Sequence, residues 1–154
     1  MKLKKFSYKK VISTNLTAIR LIRVGKSSGF VTSEIQSKGR GQRGNKWISK
    51  YGNIFISVFF SINQKISIQN ITKKNLNIVK KIIRKYVNRK IEIKRPNDIL
   101  IEKSKVCGIL QETLFRDESK YLIIGVGINL ANTPYIPNYL TTYLNKYSKK
   151  KINK

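Results

Sequence analysis

The sequence predicts an α+β domain whose mixed, largely antiparallel sheet is flanked by helices. Three observations lead there. Residues 54–60 form an apolar, β-branched and aromatic run of the kind that makes a buried strand. Residues 106–114 and 121–129 are two more strand-like runs, joined by the short charged stretch 115–120, which reads as a hairpin turn. From about residue 72 to residue 88, Leu76, Val79, Ile82, Ile83, Tyr86 and Val87 recur at helical spacing, with lysines and arginines on the opposite face. A chain of 154 residues with 40% hydrophobic content is long enough for one domain with a real core.

Taken in order, residues 1–10 are basic but lack the apolar segment of a secretory signal. Ser13, Thr14 and Asn15 precede Leu16, Ala18, Ile19 and Ile22, a helical pattern whose opening hydroxyls either cap the first turn or face a pocket. Residues 25–29 turn the chain into a strand at 30–35. After a glycine-rich stretch, the turn Tyr51-Gly52-Asn53 leads into the 54–60 strand, and a polar link, 63–70, leads into the 72–88 helix. Residues 91–94 alternate apolar and polar as a half-buried strand does, and Pro96 ends them because proline cannot donate to a ladder. A strand at 99–101 and a polar turn at 102–104 complete the run into 106–114. Gly125 and Gly127 interrupt the last strand, which points to a bulge or to a close approach by a ligand or another backbone. Beyond residue 131 the pattern degrades at Pro134 and Pro137; 139–147 reads as a short helix and 149–154 as a frayed basic end. The expected division is a catalytic domain over 1–132 and a basic C-terminal tail over 133–154.

The composition narrows the chemistry. One cysteine, Cys107, excludes an intramolecular disulfide and a multi-thiolate metal site. With no histidine, His-dependent triads and His-ligated zinc are excluded too. No apolar stretch reaches the roughly 18 to 20 residues needed to span a bilayer, so the expected location is cytoplasmic, with no membrane partner. The net charge of +26 invites an anionic partner, but Lys, Asn and Ile are enriched throughout the chain. That evenness favours a general compositional bias over a dedicated nucleic-acid surface, and no specific DNA binding is expected.

Between two strands lies Gly39-Arg40-Gly41-Gln42-Arg43-Gly44-Asn45-Lys46-Trp47, with three glycines, three cations and the sole tryptophan. Glycine permits close backbone approach, and arginine presents a planar fork that matches carboxylate and phosphate. The stretch therefore reads as an anion clamp or, more simply, as a flexible basic loop. Its position between buried strands favours a structured site.

Three segments together resemble the biotin protein ligases. The first is this loop, similar to that family's GRGxRGxxW. The second is Lys94-Arg95-Pro96-Asn97-Asp98, similar to KWPND, with Arg95 in place of the usual tryptophan. The third is Lys105-Val106-Cys107-Gly108-Ile109-Leu110 with Gly125-Val126-Gly127-Ile128-Asn129-Leu130, similar to KxAGIL and GxGINL. Ser13-Thr14-Asn15 and Gln36 also fit, and order and rough spacing agree over about residues 10–132.

The resemblance implies a class II synthetase-like fold. It also implies an enzyme that joins biotin to ATP as biotinyl-5′-AMP and passes the biotin to a lysine of a biotin carboxyl carrier protein. ATP, biotin and Mg²⁺ are the implied ligands. By position, Ser13, Thr14, Asn15, Gln36, Arg40, Gly41, Gln42 and Lys94 are implied at biotin. Gly39, Arg43, Gly44, Lys46, Trp47 and Asn129 are implied at the adenylate. Lys94 and Arg40 are the implied catalytic cations, with Asn129 and Asp98 near a phosphate-bound metal. Trp47 either stacks on adenine or packs beneath the loop, Asp98 either organises metal or caps a turn, and Cys107 is a small core residue. The resemblance further implies pairing of copies through a sheet edge. Members of that family continue into an SH3-like barrel, and some begin with a helix-turn-helix; from the 154-residue length we expect neither here. A lipoate ligase of the same fold and a basic nucleic-acid-binding protein are the alternatives.

Overall fold

In the computed structural model, which describes residues 3–63 and 65–153, seven strands form one sheet in the order β1-β2-β5-β9-β8-β7-β6. The strands are β1 (Lys5–Val11), β2 (Ser28–Gln36), β5 (Ile54–Ile62), β6 (Ile91–Lys94), β7 (Asp98–Ile101), β8 (Ser104–Arg116) and β9 (Ser119–Ile128). A small ribbon, β3 (Gly39–Arg40) with β4 (Lys46–Trp47), stands apart from it. The helices are α1 (Thr14–Arg23) and α2 (Ile68–Arg84). Met1, Lys2, Gln64 and Lys154 lie outside the described residues, so the basic start, the polar link and the basic end are seen only in part.

The α+β reading holds, with one parallel pair, β1 against β2, and antiparallel pairing elsewhere in the sheet. β1 itself escapes a pattern search. Five of its seven residues are exposed and three are lysine, as suits an edge strand protected against further pairing. The turn between β8 and β9 is shorter than the charged stretch 115–120, because Phe115 pairs with Lys120 and Arg116 with Ser119. Pairing satisfies backbone groups whatever the side chains carry.

α2 begins four residues before the expected start, where Ser67 accepts a hydrogen bond from the Asn70 N–H at 3.4 Å. It ends at Arg84, so Tyr86 and Val87 leave the helical period. Leu76 and Ile83 are buried, whereas Ile82 and Tyr86 are half exposed at 49% each. The expected apolar face is therefore narrower than the sequence pattern suggests. The expected helix over 139–147 is reduced to one 3₁₀ turn, Leu144–Lys146. Residues 140–142 instead bond to Lys105: its N–H donates to Leu140 O at 2.9 Å and its O accepts from Thr142 N at 2.8 Å.

Two apolar clusters support the sheet. Ala18 and Ile22 of α1 pack with Val31, Phe59, Tyr121 and Ile123. Leu76 and Ile83 of α2 pack with Ile99, Ile101, Val106 and Ile109, joined by Leu130 and Leu144. Asn53, fully buried, accepts from the N–H groups of Leu130, Ala131 and Asn132 at 3.0 to 3.3 Å and so fixes how the chain leaves β9.

Candidate functional site

A cavity of about 470 Å³ opens between the start of α1, the end of β2, the glycine-rich ribbon and the middles of β8 and β9. That size suits a small organic ligand. Ser13, Thr14, Asn15, Gln36, Arg40, Gly41, Gln42, Lys46, Trp47 and Asp98 line it, as the sequence suggests. Gly39, Arg43, Gly44, Lys94 and Asn129 lie outside its lining.

The end beside α1 is a chain of uncharged hydrogen bonds. Ser13 stands at the helix N-cap but makes no cap bond with its side chain. Gln36 replaces it there: its Oε1 accepts from Thr14 N at 2.8 Å and from Thr14 Oγ1 at 3.1 Å. Ser13 lines the cavity without capping α1. Gln36 Nε2 donates to Ser49 Oγ at 3.1 Å. Beneath them the fully buried Ser57 donates to Asn15 Oδ1 at 2.5 Å and lies 2.8 Å from Thr14 Oγ1. Each hydroxyl has a single proton, so with the Ser57 proton on Asn15, Thr14 Oγ1 gives its own to Ser57 or to Gln36 but not to both.

Glycines make room for this arrangement. Asn15 crosses Gly125 so closely that a Cβ there would strike its side chain. Gly108 and Gly127 face each other across β8 and β9, and a Cβ on either would fall 2.7 or 2.6 Å from the Trp47 indole. The indole therefore lies on a platform only glycine can supply. The Trp47 Nε1 is buried without a partner.

The opposite end is charged. Lys105 Nζ lies 2.8 Å from Asp98 Oδ1, an ion pair whose angles miss those of a hydrogen bond. Tyr139 Oη donates to Asp98 Oδ2 at 2.8 Å. Burial first, then that bond and the Asp98 charge, push the Tyr139 phenol well above its ordinary value, so it stays a donor. The Tyr139 ring takes Lys94 Nζ at 4.7 Å and Lys105 Nζ at 5.5 Å from its centroid. Lys105 lines the cavity at this end, and the expected Lys94 does not. The Asp98 turn is held in place by Asn97, whose Nδ2 donates to Ile109 O and whose O accepts from Ile109 N.

Of the two residues expected near a phosphate-bound metal, Asp98 lines the cavity and Asn129 does not. Both Asp98 oxygens face Lys105 and Tyr139. Asn129 is buried, with its Nδ2 donating to Thr142 O at 3.1 Å. No group of three or more His, Cys, Asp or Glu side chains suited to a metal occurs among the described residues. A metal would have to arrive on an anionic ligand. Sequence reasoning also passed over Ser57, Glu112 and Tyr139. Lys105 had a signal, since it opens the Lys105 to Leu110 motif. Tyr139 had none.

The biotin/lipoate A/B protein ligase family matches residues 9–129. The bifunctional ligase/repressor BirA of Escherichia coli is 34% identical over 122 residues, covering 77% of this chain and 38% of that protein. The biotin–[acetyl-CoA-carboxylase] ligase of Paracoccus denitrificans is 29% identical over 130 residues, covering 79% of this chain and 52% of that protein. Among solved structures, the biotin protein ligase of Aquifex aeolicus in complex with biotin and ATP is 29% identical. Its TM-score is 0.78, and the match covers 97% of this chain and 63% of that one. The chain thus spans about two fifths to two thirds of the length of these relatives.

Proposed function

From the premise that this chain belongs to the biotin/lipoate A/B protein ligase family, we propose that it acts as a biotin protein ligase. The biotin carboxylate attacks the α-phosphorus of MgATP and pyrophosphate leaves. A lysine amine of a biotin carboxyl carrier protein then attacks the acyl carbon of biotinyl-5′-AMP, and AMP leaves. The observation that carries this reading is the division of one cavity into an uncharged hydrogen-bonding end and a cationic end beneath a glycine-rich ribbon.

A neutral ureido group presents donors and an acceptor, which Ser13, Thr14, Asn15 and Gln36 can match. A carboxylate approaching a polyphosphate needs its repulsion neutralised, and cations held in advance do this without reorganising during the reaction. Lys105, steadied by Asp98 and Tyr139, stands at that end; Lys46 on the ribbon adds a second positive charge. Mg²⁺ enters as part of the nucleotide substrate. Trp47 and the ribbon shield the mixed anhydride from water.

The test is adenylate formation from biotin and radiolabelled MgATP, with Lys105→Ala and Lys94→Ala beside the unaltered chain. Biotin-dependent adenylate, lost in Lys105→Ala and largely kept in Lys94→Ala, is the expected outcome. Adenylate formed with lipoate but not with biotin would overturn the substrate assignment.

A further inference from the structure

Glu112 has no part in the scheme above, yet its carboxylate joins the ribbon to the cavity floor. Arg40 Nη2 lies 2.8 Å from Glu112 Oε1, and Nη1 donates to Oε2 at 3.3 Å. Asn15 Nδ2 donates to the same Oε2 at 2.8 Å and also contacts Leu110 O at 3.3 Å. Leu110 and Glu112 are two apart on β8 and so share one face of the strand. Gly125 pairs with Leu110 and leaves room for the Asn15 amide between them.

We propose that Glu112 is a positioning residue: it anchors the glycine-rich ribbon over the cavity through Arg40, and it dictates which way the Asn15 amide faces. This rests on reading the cavity as the ligase site.

An ion pair at the surface is ordinarily worth little. This one differs in being two-pronged, with a third donor on the same carboxylate, and that geometry fixes direction as well as distance. A chain with 33 cations and 7 carboxylates does not lack positive charge for an anionic ligand. Neutralising a ribbon arginine therefore sacrifices little attraction and gains a fixed ribbon. The second consequence is chemical. An ionised carboxylate only accepts, so it must take the Asn15 NH₂ group. The Asn15 oxygen is then forced toward Ser57, and the donors and acceptors of the uncharged end acquire one sense. A glutamine at 112 would keep the shape but accept either orientation.

Limited trypsin digestion, read by mass spectrometry, tests the anchor without reference to activity. Cleavage after Arg43 and Lys46 reports the ribbon, and cleavage after Lys80, inside α2, serves as a reference for global opening. Glu112→Gln should raise ribbon cleavage about tenfold over the reference, because local opening there loses its tie. Arg40→Glu and Glu112→Arg should each do the same, and the double reversal should return to within about threefold of the unaltered chain. Equal ribbon cleavage in Glu112→Gln and the unaltered chain, or a double variant no better than the singles, overturns the anchor.

Adenylate kinetics test the second role. The double reversal restores the ribbon but not the acceptor for Asn15, so its KM for biotin should stay about tenfold high, the scale of one lost hydrogen bond to a charged group. A normal biotin KM in that variant overturns the orienting role. If the unaltered chain makes no adenylate, the ligase reading fails while the digestion still decides the anchor. In that event, a calorimetric biotin titration of the unaltered and doubly reversed chains decides the orienting role: equal affinities overturn it, as does absence of binding.

Discussion

At one end of the cavity Thr14, Asn15, Gln36 and Ser57 hold one another through uncharged hydrogen bonds. At the other, Asp98, Lys105 and Tyr139 are joined by charge and aromatic contact. The first end is built by α1, β2 and β5, whose core is the Ala18–Phe59 cluster. The second is built by β7, β8 and the 139–142 segment, whose core includes Leu144. Each core thus carries its own chemistry. An uncharged network selects by the pattern of donors and acceptors, and its loss is felt mainly in binding. A partly buried cation acts on charge that develops during reaction, and its loss is felt mainly in rate.

The sharpest way to break this contrast is Lys105→Ala. It should slow adenylate formation by about 10² to 10³-fold with biotin binding retained, as for removal of one preorganised electrostatic group. Rate measurements beside calorimetric biotin titration separate the two effects; equal losses in both would erase the division. Next in size, Leu144→Ala should cost about 2 to 4 kcal/mol in urea unfolding by leaving a cavity under the charged end. Its adenylate rate should fall more than its biotin affinity, since Lys105 is bonded to the backbone of 140–142. Ser57→Ala should cost about 1 to 2 kcal/mol of biotin affinity, the scale of an unmade buried hydrogen bond, and leave KM for MgATP unchanged. The smallest effect is at Cys107, whose thiol burial pushes far above its ordinary value. It stays protonated across the neutral range, so iodoacetamide should leave the folded chain unlabelled from pH 7 to about 9 and label it only in denaturant.

Much of this was legible beforehand. The strands around 54–60, 106–114 and 121–129 show themselves because burial demands apolar runs, and the glycine-rich ribbon because few other structures concentrate glycine and arginine. What escaped depends on register. Nothing local in Glu112 connects it with Asn15, 97 positions away; only the alignment of β8 against β9, with Gly125 open, brings them together. Ser57 reads as one polar residue in an apolar strand and becomes intelligible once α1 is laid over it. Lys94 and Lys105 are equally cationic in sequence and both meet the Tyr139 ring, and only the shape of the folded cavity separates them, taking in Lys105 and not Lys94. β1 is exposed and lysine-rich, so hydrophobic patterning could not find it.

The glycine platform under Trp47 has an optical consequence. The chain contains a single tryptophan, and it lies in the cavity wall with its indole nitrogen unpaired. Its emission therefore reports one location, free of background from other indoles. Any ligand that reaches that nitrogen or displaces the ring from Gly108 and Gly127 should change both intensity and colour. Occupancy of the cavity can thus be followed in the unlabelled chain, and the order in which two ligands enter can be resolved by stopped flow.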